Sequence, residues 1–241
     1  MALAQTLIYL RLATRFVLKN PGFSSVFGVC RDFGKWLKHS RPDSNSVKAS
    51  IPWLTFSAIA EIEKKLTANM KVFEYGSGGS TLFWAARTKF VVSVEHDKSW
   101  YLTLTEELQK RRIENVNYLL IEPIPDNAFS EKSPANPHDY ISDNAQYKGT
   151  NFEAYVKKID EFEDHSFDII IVDGRARTSC MLHAMKKIKP SGYLILDNSE
   201  RDYYLSNLPI DNSKWKRTDY KGAVPFSTYF SQTTIFQNIQ Q

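Results

Sequence analysis

The stretch that decides the fold is VFEYGSGGSTLFWAA, residues Val72–Ala86. It opens as an apolar strand, turns through Gly76, Gly78 and Gly79, and continues into a segment typical of a helix. Glycines at such a turn let backbone N–H groups approach a ligand closely, because no side chain stands in the way. The turn also places that ligand at a helix N-terminus, which favours anionic groups.

A second apolar strand, Val91–Val94, follows the helical segment and leads directly into Glu95. The distance from Gly76 to this acid suits a carboxylate that ends the second strand and accepts hydrogen bonds from ribose hydroxyls. Strand, glycine turn, helix, strand and acid together indicate the first half of a nucleoside-binding α/β domain. A dinucleotide fingerprint is not met, because Thr81 occupies the position of its third glycine.

The arrangement E-x-G-x-G, with Glu74, Gly76 and Gly78, resembles motif I of class I S-adenosylmethionine-dependent methyltransferases. The resemblance implies that these three residues surround the methionine end of the cofactor. Ser80 stands where the family often has a third glycine, and its small hydroxyl fits there.

The same resemblance implies that Glu95 holds the ribose. Trp100 opens the helix after Glu95, where the adenine would lie, so it is the best candidate among the aromatic residues for a place in the cofactor site.

Strands alternate with helices along the rest of the chain, which predicts a doubly wound, mostly parallel sheet. With the closing antiparallel hairpin that the family shares, we expect a seven-stranded Rossmann-like methyltransferase sheet. The predicted strands are Val72–Tyr75, Phe90–Val94, Tyr118–Ile121, Phe167–Val172, Tyr193–Leu196, Trp215–Tyr220 and Thr233–Gln237. The predicted helices of this domain are Thr55–Leu66, Ser80–Arg87, Trp100–Arg111, Asn151–Phe162, Thr178–Ile188 and Ser199–Leu208.

Two later strands end in polar residues, at Asp173 and at Asp197-Asn198. FDIIIVDGRAR followed by GYLILDN resembles small-molecule O-methyltransferases related to catechol and caffeoyl-coenzyme A enzymes, in which these positions hold a divalent ion. That pattern also has a lysine where this chain has Ala176. We therefore favour no metal, with Asp173 paired to Arg177 and acting on the acceptor as a catalytic residue.

The positive charge of the chain lies in its first fifty residues, which carry eight basic and two acidic side chains, a net charge of +6. The remaining residues carry a net charge of −2, which gives the chain its net charge of +4. We expect a basic helical extension over residues 1–50 and an S-adenosylmethionine-binding methyltransferase domain over residues 51–241. Because the catalytic domain is close to neutral, a nucleic-acid substrate is not expected.

The first twenty residues predict an amphipathic basic helix that ends at Asn20-Pro21-Gly22. Packing on the domain or on another subunit is the first interpretation, and peripheral contact with an anionic membrane is the second. The uncharged run Met1–Leu10 is too short to span a bilayer, and no secretory signal is indicated. With two unpaired cysteines, Cys30 and Cys180, a cytoplasmic location is expected.

The sequence thus predicts methyl transfer from S-adenosylmethionine to a small-molecule acceptor, at an oxygen atom. The alternative is a non-catalytic protein of the nucleoside-binding fold that docks to a membrane or partner through its basic N-terminal arm. Residues 122–150 carry no periodicity and are either a lid or a disordered segment. Self-association is left open.

Overall fold

Seven strands form the central sheet of the protein, in a computed structural model that describes residues 2–240. A separate two-stranded ribbon lies outside it. The strands are β1 Lys71–Tyr75, β2 Phe90–Glu95, β3 Val116–Leu120, β4 Ile124–Pro125, β5 Thr150–Asn151, β6 Phe167–Val172, β7 Ile188–Asp197, β8 Trp215–Ala223 and β9 Phe230–Asn238. The α-helices are α1 Ala2–Lys19, α2 Phe23–His39, α3 Ser46–Ala49, α4 Phe56–Glu63, α5 Gly79–Ala85, α6 Lys98–Lys110, α7 Glu153–Lys157 and α8 Arg177–Ala184.

The strand order in the sheet is β3-β2-β1-β6-β7-β9-β8. The first five of these run parallel, whereas β9 is antiparallel to both β7 and β8. The order reverses between β1 and β6, and ligands bind at such a switch point, beyond the carboxyl ends of the strands. The predicted doubly wound sheet with its closing hairpin is confirmed.

Both faces of the sheet are buried, which is why its central strands are almost continuously apolar. In β6, Ile169 and Ile171 pack on the face that carries α1, α2, α4 and α5, while Ile170 and Val172 pack on the face that carries α7 and α8. Successive side chains of a strand point to opposite faces, so each strand contributes to both cores.

The predicted helix Ser199–Leu208 is wrong, because this segment forms only a 3₁₀ turn at Asp202–Tyr204. The first residues of this segment form hydrogen bonds to β9 instead. The Ser199 N–H donates to the Gln232 carbonyl at 2.9 Å, and the Glu200 carboxylate accepts from the Gln232 N–H at 2.9 Å. These bonds to a neighbouring strand replace the local bonds that would begin a helix.

Other predicted elements differ at their ends. The helix expected at Asn151–Phe162 is shorter, because Asn151 belongs to β5 and the last turn is a 3₁₀ helix, Lys158–Glu161. Residues 122–150 contain two 3₁₀ turns, with the β4–β5 ribbon at the base of the segment. The segment 42–50 contains the short helix α3.

The N-terminal extension is a helical hairpin, α1–α2, packed on the α4 side of the sheet. The predicted end of the first helix at Asn20 is confirmed by α1, which ends at Lys19. The Tyr9 hydroxyl donates to the Val29 carbonyl at 2.6 Å, and the Trp36 indole donates to the Ser227 carbonyl at 2.9 Å. Both aromatic side chains share one core with the sheet. The division of the chain at residue 50 stays a prediction.

Among residues 2–240, no helix is long and apolar enough to cross a membrane.

Gly76 is expected to resist substitution because of its backbone. Its φ is +88°, and a Cβ there would lie 2.8 Å from the Gly174 Cα. Gly76→Ala should therefore lower the free energy of unfolding by about 2 kcal/mol or more, measured by urea denaturation. The matched control is Gly28→Ala in α2, where a Cβ meets nothing within 4 Å. It should be neutral or stabilise by up to about 1 kcal/mol, and equal effects at both positions would contradict the argument.

Candidate functional site

The side chain of Thr81 fixes the glycine turn between β1 and α5 through hydrogen bonds. The Thr81 hydroxyl accepts from the Gly78 N–H at 3.0 Å and donates to Glu74 Oε2 at 2.6 Å. Thr81, the residue that breaks the dinucleotide fingerprint, thus caps the helix and links the turn to the strand before it.

Glu74 lies beneath this turn and is completely buried. Besides Thr81, it accepts hydrogen bonds from the Ser93 hydroxyl at 2.8 Å and from the Trp84 indole at 3.2 Å. Burial raises the pKa of Glu74 to about 7, against the lowering effect of its hydroxyl donors. Glu74 does not line the cavity described below, so any effect on a ligand would act through the turn that it supports.

Glu95 ends β2 at the edge of the same turn. Its Oε2 accepts from the backbone N–H and the hydroxyl of Ser77, at 3.1 and 2.7 Å. Its Oε1 accepts from the backbone N–H groups of His96 and Asp97, at 2.7 and 2.9 Å. Burial opposes ionisation, but the His96 side chain, whose Nδ1 lies 2.8 Å from Oε1, and the hydrogen bonds from Ser77 and Asp97 hold the pKa of Glu95 below its usual value. The carboxylate is therefore ionised at neutral pH.

Trp100 forms one side of the opening above Glu95. Its indole donates to the Ser77 carbonyl at 2.9 Å, and its backbone N–H is capped by Asp97 Oδ1 at 2.9 Å. Its side chain is just over one-third exposed. The helix cap and the indole bond fix a flat apolar surface beside the acid.

A cavity of about 530 Å³ opens at the carboxyl ends of the parallel strands. Six of the seven predicted site residues line it together, namely Gly76, Gly78, Ser80, Glu95, Trp100 and Asp173. The seventh, Glu74, lies below the turn. Residues from strands far apart in the sequence thus meet at one site, as expected for the switch point of this sheet.

Arg177 joins the ends of β6 and β7 at the back of the cavity. It is almost completely buried, and its guanidinium donates to Asp173 Oδ1 at 2.9 Å and to the Asp197 carbonyl. The pairing of Asp173 with Arg177 expected from the sequence is present. Burial raises the pKa of Asp173, against the opposing effect of Arg177 and Arg175. Burial and the nearby Asp173 raise the pKa of Asp197 well above its usual value.

Asp173, Asp197 and Asn198, at the ends of β6 and β7, are not arranged to bind a divalent ion. Arg177 lies between the two carboxylates, 2.9 Å from Asp173 and 3.9 Å from Asp197 Oδ2, so a cation already occupies the space that an ion would share. Asn198 donates its amide to the Ser231 hydroxyl at 3.0 Å. Within residues 2–240, no group of three or more His, Cys, Asp or Glu side chains is arranged to hold a metal.

Several cavity residues were missed by the sequence reasoning. Ser77 could have been found, because it lies inside the glycine turn and its hydroxyl can reach the acid at the end of β2. The others come from segments without periodicity, so no local signal marked them. They are Ser46 in α3, Gln146 and Tyr147 from the 122–150 segment, and Arg175 after β6.

The sequence matches no protein-family model and no curated protein. Solved structures do resemble the fold. The O-methyltransferase TomG from Streptomyces achromogenes, involved in tomaymycin synthesis and solved in complex with SAM, aligns with a TM-score of 0.54 and 12% identity, over 88% of this chain and 96% of its own. An rRNA methylase from Streptococcus thermophilus aligns with a TM-score of 0.53 and 13% identity, over 79% and 98%. A proposed O-methyltransferase from Klebsiella pneumoniae aligns with 0.54 and 13%, over 83% and 84%.

At these identities the likeness shows the fold, which this chain shares with methyltransferases of different substrate classes.

The raised pKa of Glu74 should appear in the stability of the protein. The native state holds this proton up to about pH 7, whereas the unfolded chain releases it near the usual value of 4.5. Stability from this group is therefore lost as the pH rises between these values. Relative to Glu74→Gln, which cannot titrate, the wild type should lose roughly 3 kcal/mol in unfolding free energy between about pH 4.5 and pH 7.5.

Urea denaturation at several pH values measures this difference. Glu106→Gln on the exposed side of α6 controls for the loss of one surface carboxylate. A constant difference between the wild type and Glu74→Gln across the pH range would contradict the prediction.

Proposed function

We propose that this protein binds S-adenosylmethionine beside the glycine turn and transfers its methyl group to a small-molecule acceptor, at an oxygen atom. The observation that carries the proposal is the meeting of the turn, an ionised Glu95 and the Trp100 ring around one cavity at the switch point of the sheet. The shared methyltransferase fold supports the same function.

Residues of this cavity would contact the ribose, the adenine and the methionine portion of the cofactor. Glu95 would hold the ribose hydroxyls, which would replace the Ser77 hydroxyl at its Oε2. Trp100 offers an apolar face for the adenine. Gly78 leaves room for a ligand, because a Cβ there would point into the opening, 3.6 Å from the Trp100 ring. Gly76 and Ser80, which also line the cavity, would face the methionine portion of the cofactor.

When bound, S-adenosylmethionine supplies a methyl group that its sulfonium already activates for transfer. The protein then has to orient the acceptor and exclude water, so positioning provides most of the rate enhancement. Asp173 follows β6, which pairs with β1 on the side opposite β2, the strand that leads to Trp100. Its carboxylate would orient the acceptor hydroxyl and accept its proton, while Arg177 keeps the carboxylate in place.

A small acceptor suits the charge distribution better than a nucleic acid. The chain outside residues 1–50 carries a net charge of −2 by sequence, and Arg175 is the one cation of the cavity wall besides the paired Arg177 among the described residues. One of the similar structures is an rRNA methylase, so the exclusion of nucleic acid stays a prediction. The cytoplasmic location and the contact of residues 1–20 with a membrane also stay predictions.

One measurement distinguishes methyl transfer from the alternative, a non-catalytic nucleoside-binding protein. A nucleoside-binding protein that does not transfer methyl groups would bind S-adenosylmethionine without releasing S-adenosylhomocysteine in the presence of any acceptor. Binding with turnover would exclude it.

Glu95→Ala should weaken the binding of S-adenosylhomocysteine by roughly 1–3 kcal/mol, because charge-assisted hydrogen bonds to the ribose are lost. Isothermal titration calorimetry measures the affinity. Glu114→Ala, on the exposed surface before β3, is the matched control and should bind as the wild type does. A folded Glu95→Ala protein with unchanged affinity would remove Glu95 from the cofactor site.

Asp173→Asn should lower turnover by at least about tenfold while changing S-adenosylhomocysteine affinity little, because it acts on the acceptor side of the site. Release of S-adenosylhomocysteine is measured with a panel of small phenols, catechols and hydroxy acids. Asp202→Asn, on an exposed turn, serves as the control. Unchanged turnover in Asp173→Asn, or turnover that is abolished by EDTA and restored by Mg²⁺, would contradict the assignment.

A further inference from the structure

The outer surface of the α1–α2 hairpin is unusually apolar. Of the fourteen large apolar side chains that are most exposed in the described chain, eight lie in this hairpin. The most exposed are Phe23 at 84%, Leu18 at 77% and Leu3 at 74%. The eight, which we call the apolar stripe, are Leu3, Leu7, Ile8, Leu10, Leu18, Phe23, Val26 and Phe27.

These side chains do not pack on the sheet, because each helix contacts the sheet with its opposite side. In α1 the inward residues are Tyr9 and Ala13, both buried, whereas Leu3, Leu7 and Leu10 recur at spacings of four and three on the outward side. In α2, Trp36 faces inward, and Phe27 stacks outward on Phe23. The hairpin therefore carries two apolar faces, and the described chain covers only one of them.

Basic side chains flank the apolar stripe, and acids do not. Within residues 2–41 the one acid is Asp32, which is buried and paired with Arg31 at 2.8 Å. Five further cations of the two helices have no acidic partner within the described chain, namely Arg11, Arg15, Lys19, Lys35 and Lys38. An apolar surface with a rim of uncompensated positive charge is complementary to an anionic lipid surface.

We propose that the outer face of the α1–α2 hairpin docks on anionic membranes. The apolar stripe enters the region between headgroups and acyl chains, the unpaired lysines and arginines bind anionic headgroups, and both helices lie in the plane of the interface. Docking is independent of the proposed methyl transfer, since no residue of the apolar stripe lines the cavity.

A second copy of this chain is a poorer occupant of the same face. A symmetric dimer would place the face against itself. The five unpaired cations would then approach their own equivalents, with the only acid of the hairpin already buried beside Arg31. Like charges without compensation oppose such an interface.

The inward side of the hairpin contacts a segment that reaches the cavity. Phe230 packs on Tyr9 and Phe16 of α1, with ring centroids 5.4 and 5.3 Å apart. The preceding residue, Tyr229, lines the cavity. The start of β9 thus joins the inward, covered side of α1 to the wall of the cavity.

The test is co-sedimentation of the full chain with vesicles. Phosphatidylcholine vesicles that contain phosphatidylserine should bind the protein, with affinity that falls as salt is raised, whereas phosphatidylcholine vesicles alone should bind it far more weakly. Arg15→Gln and Lys19→Gln should each weaken binding by about fivefold. Leu18→Gln and Phe27→Ser should each weaken it by roughly tenfold, because less apolar area is buried.

Matched controls lie on α6, which packs on β2 and β3, whereas the hairpin contacts β8 at the other edge of the sheet. Leu102→Gln removes an exposed apolar side chain and Lys110→Gln an exposed cation, and both should bind vesicles as the wild type does. Glu95→Ala should also bind normally, so the failure of the proposed cofactor site would not affect this result.

Three outcomes would overturn the proposal. Equal binding to vesicles with and without phosphatidylserine would remove the role of charge. Unchanged vesicle binding in Leu18→Gln and Phe27→Ser would remove the apolar stripe. A dimer in sedimentation velocity without vesicles, dissociated by Phe27→Ser, would assign the face to a second copy.

Discussion

The buried carboxylate of Glu74 is the constraint on which the site depends. It is a polar group in a strand whose neighbours are apolar, and it is tolerated because Thr81, Ser93 and Trp84 all donate to it. These donors come from α5 and β2, so one side chain joins three elements at the point where the chain turns. The open backbone of the glycine turn therefore rests on a fully hydrogen-bonded support, and the turn can present its N–H groups to a ligand without collapsing.

Arg177 has the corresponding role on the other half of the sheet. Its guanidinium donates to the Gly174 carbonyl and to both the carbonyl and the carboxylate of Asp173, and it reaches the Asp197 carbonyl on the next strand. A fixed positive charge placed between two acids lets them lie close together at a strand edge. The two halves of the cavity are thus organised by two buried ionisable side chains, Glu74 under the turn and Arg177 between β6 and β7.

The sequence predicted those features that depend on neighbouring residues. The order of strands and helices, the glycine turn and the acids at the ends of β2 and β6 follow from local patterns of apolar residues, glycines and carboxylates. It failed where distant segments decide the outcome. Ser199 and Glu200 form hydrogen bonds with Gln232 and do not start a helix. The local composition of residues 199–208 does not predict that partner. Gln146 and Tyr147 reach the cavity through a segment without any periodicity. Glu74 was recognised as part of a motif, but only its neighbours in space place it below the turn.

The close approach of α3 to Gly79 has a consequence for comparing sequences. A Cβ at position 79 would lie 2.0 Å from the Ser46 carbonyl oxygen and 2.7 Å from that of Ile51. The first turn of α5 and the segment after the hairpin therefore exclude any side chain at this position. A chain with alanine there could not seat its N-terminal segment in the same way. Glycine at position 79 is thus a marker, readable from sequence, for related chains in which this segment closes the cavity rim as it does here.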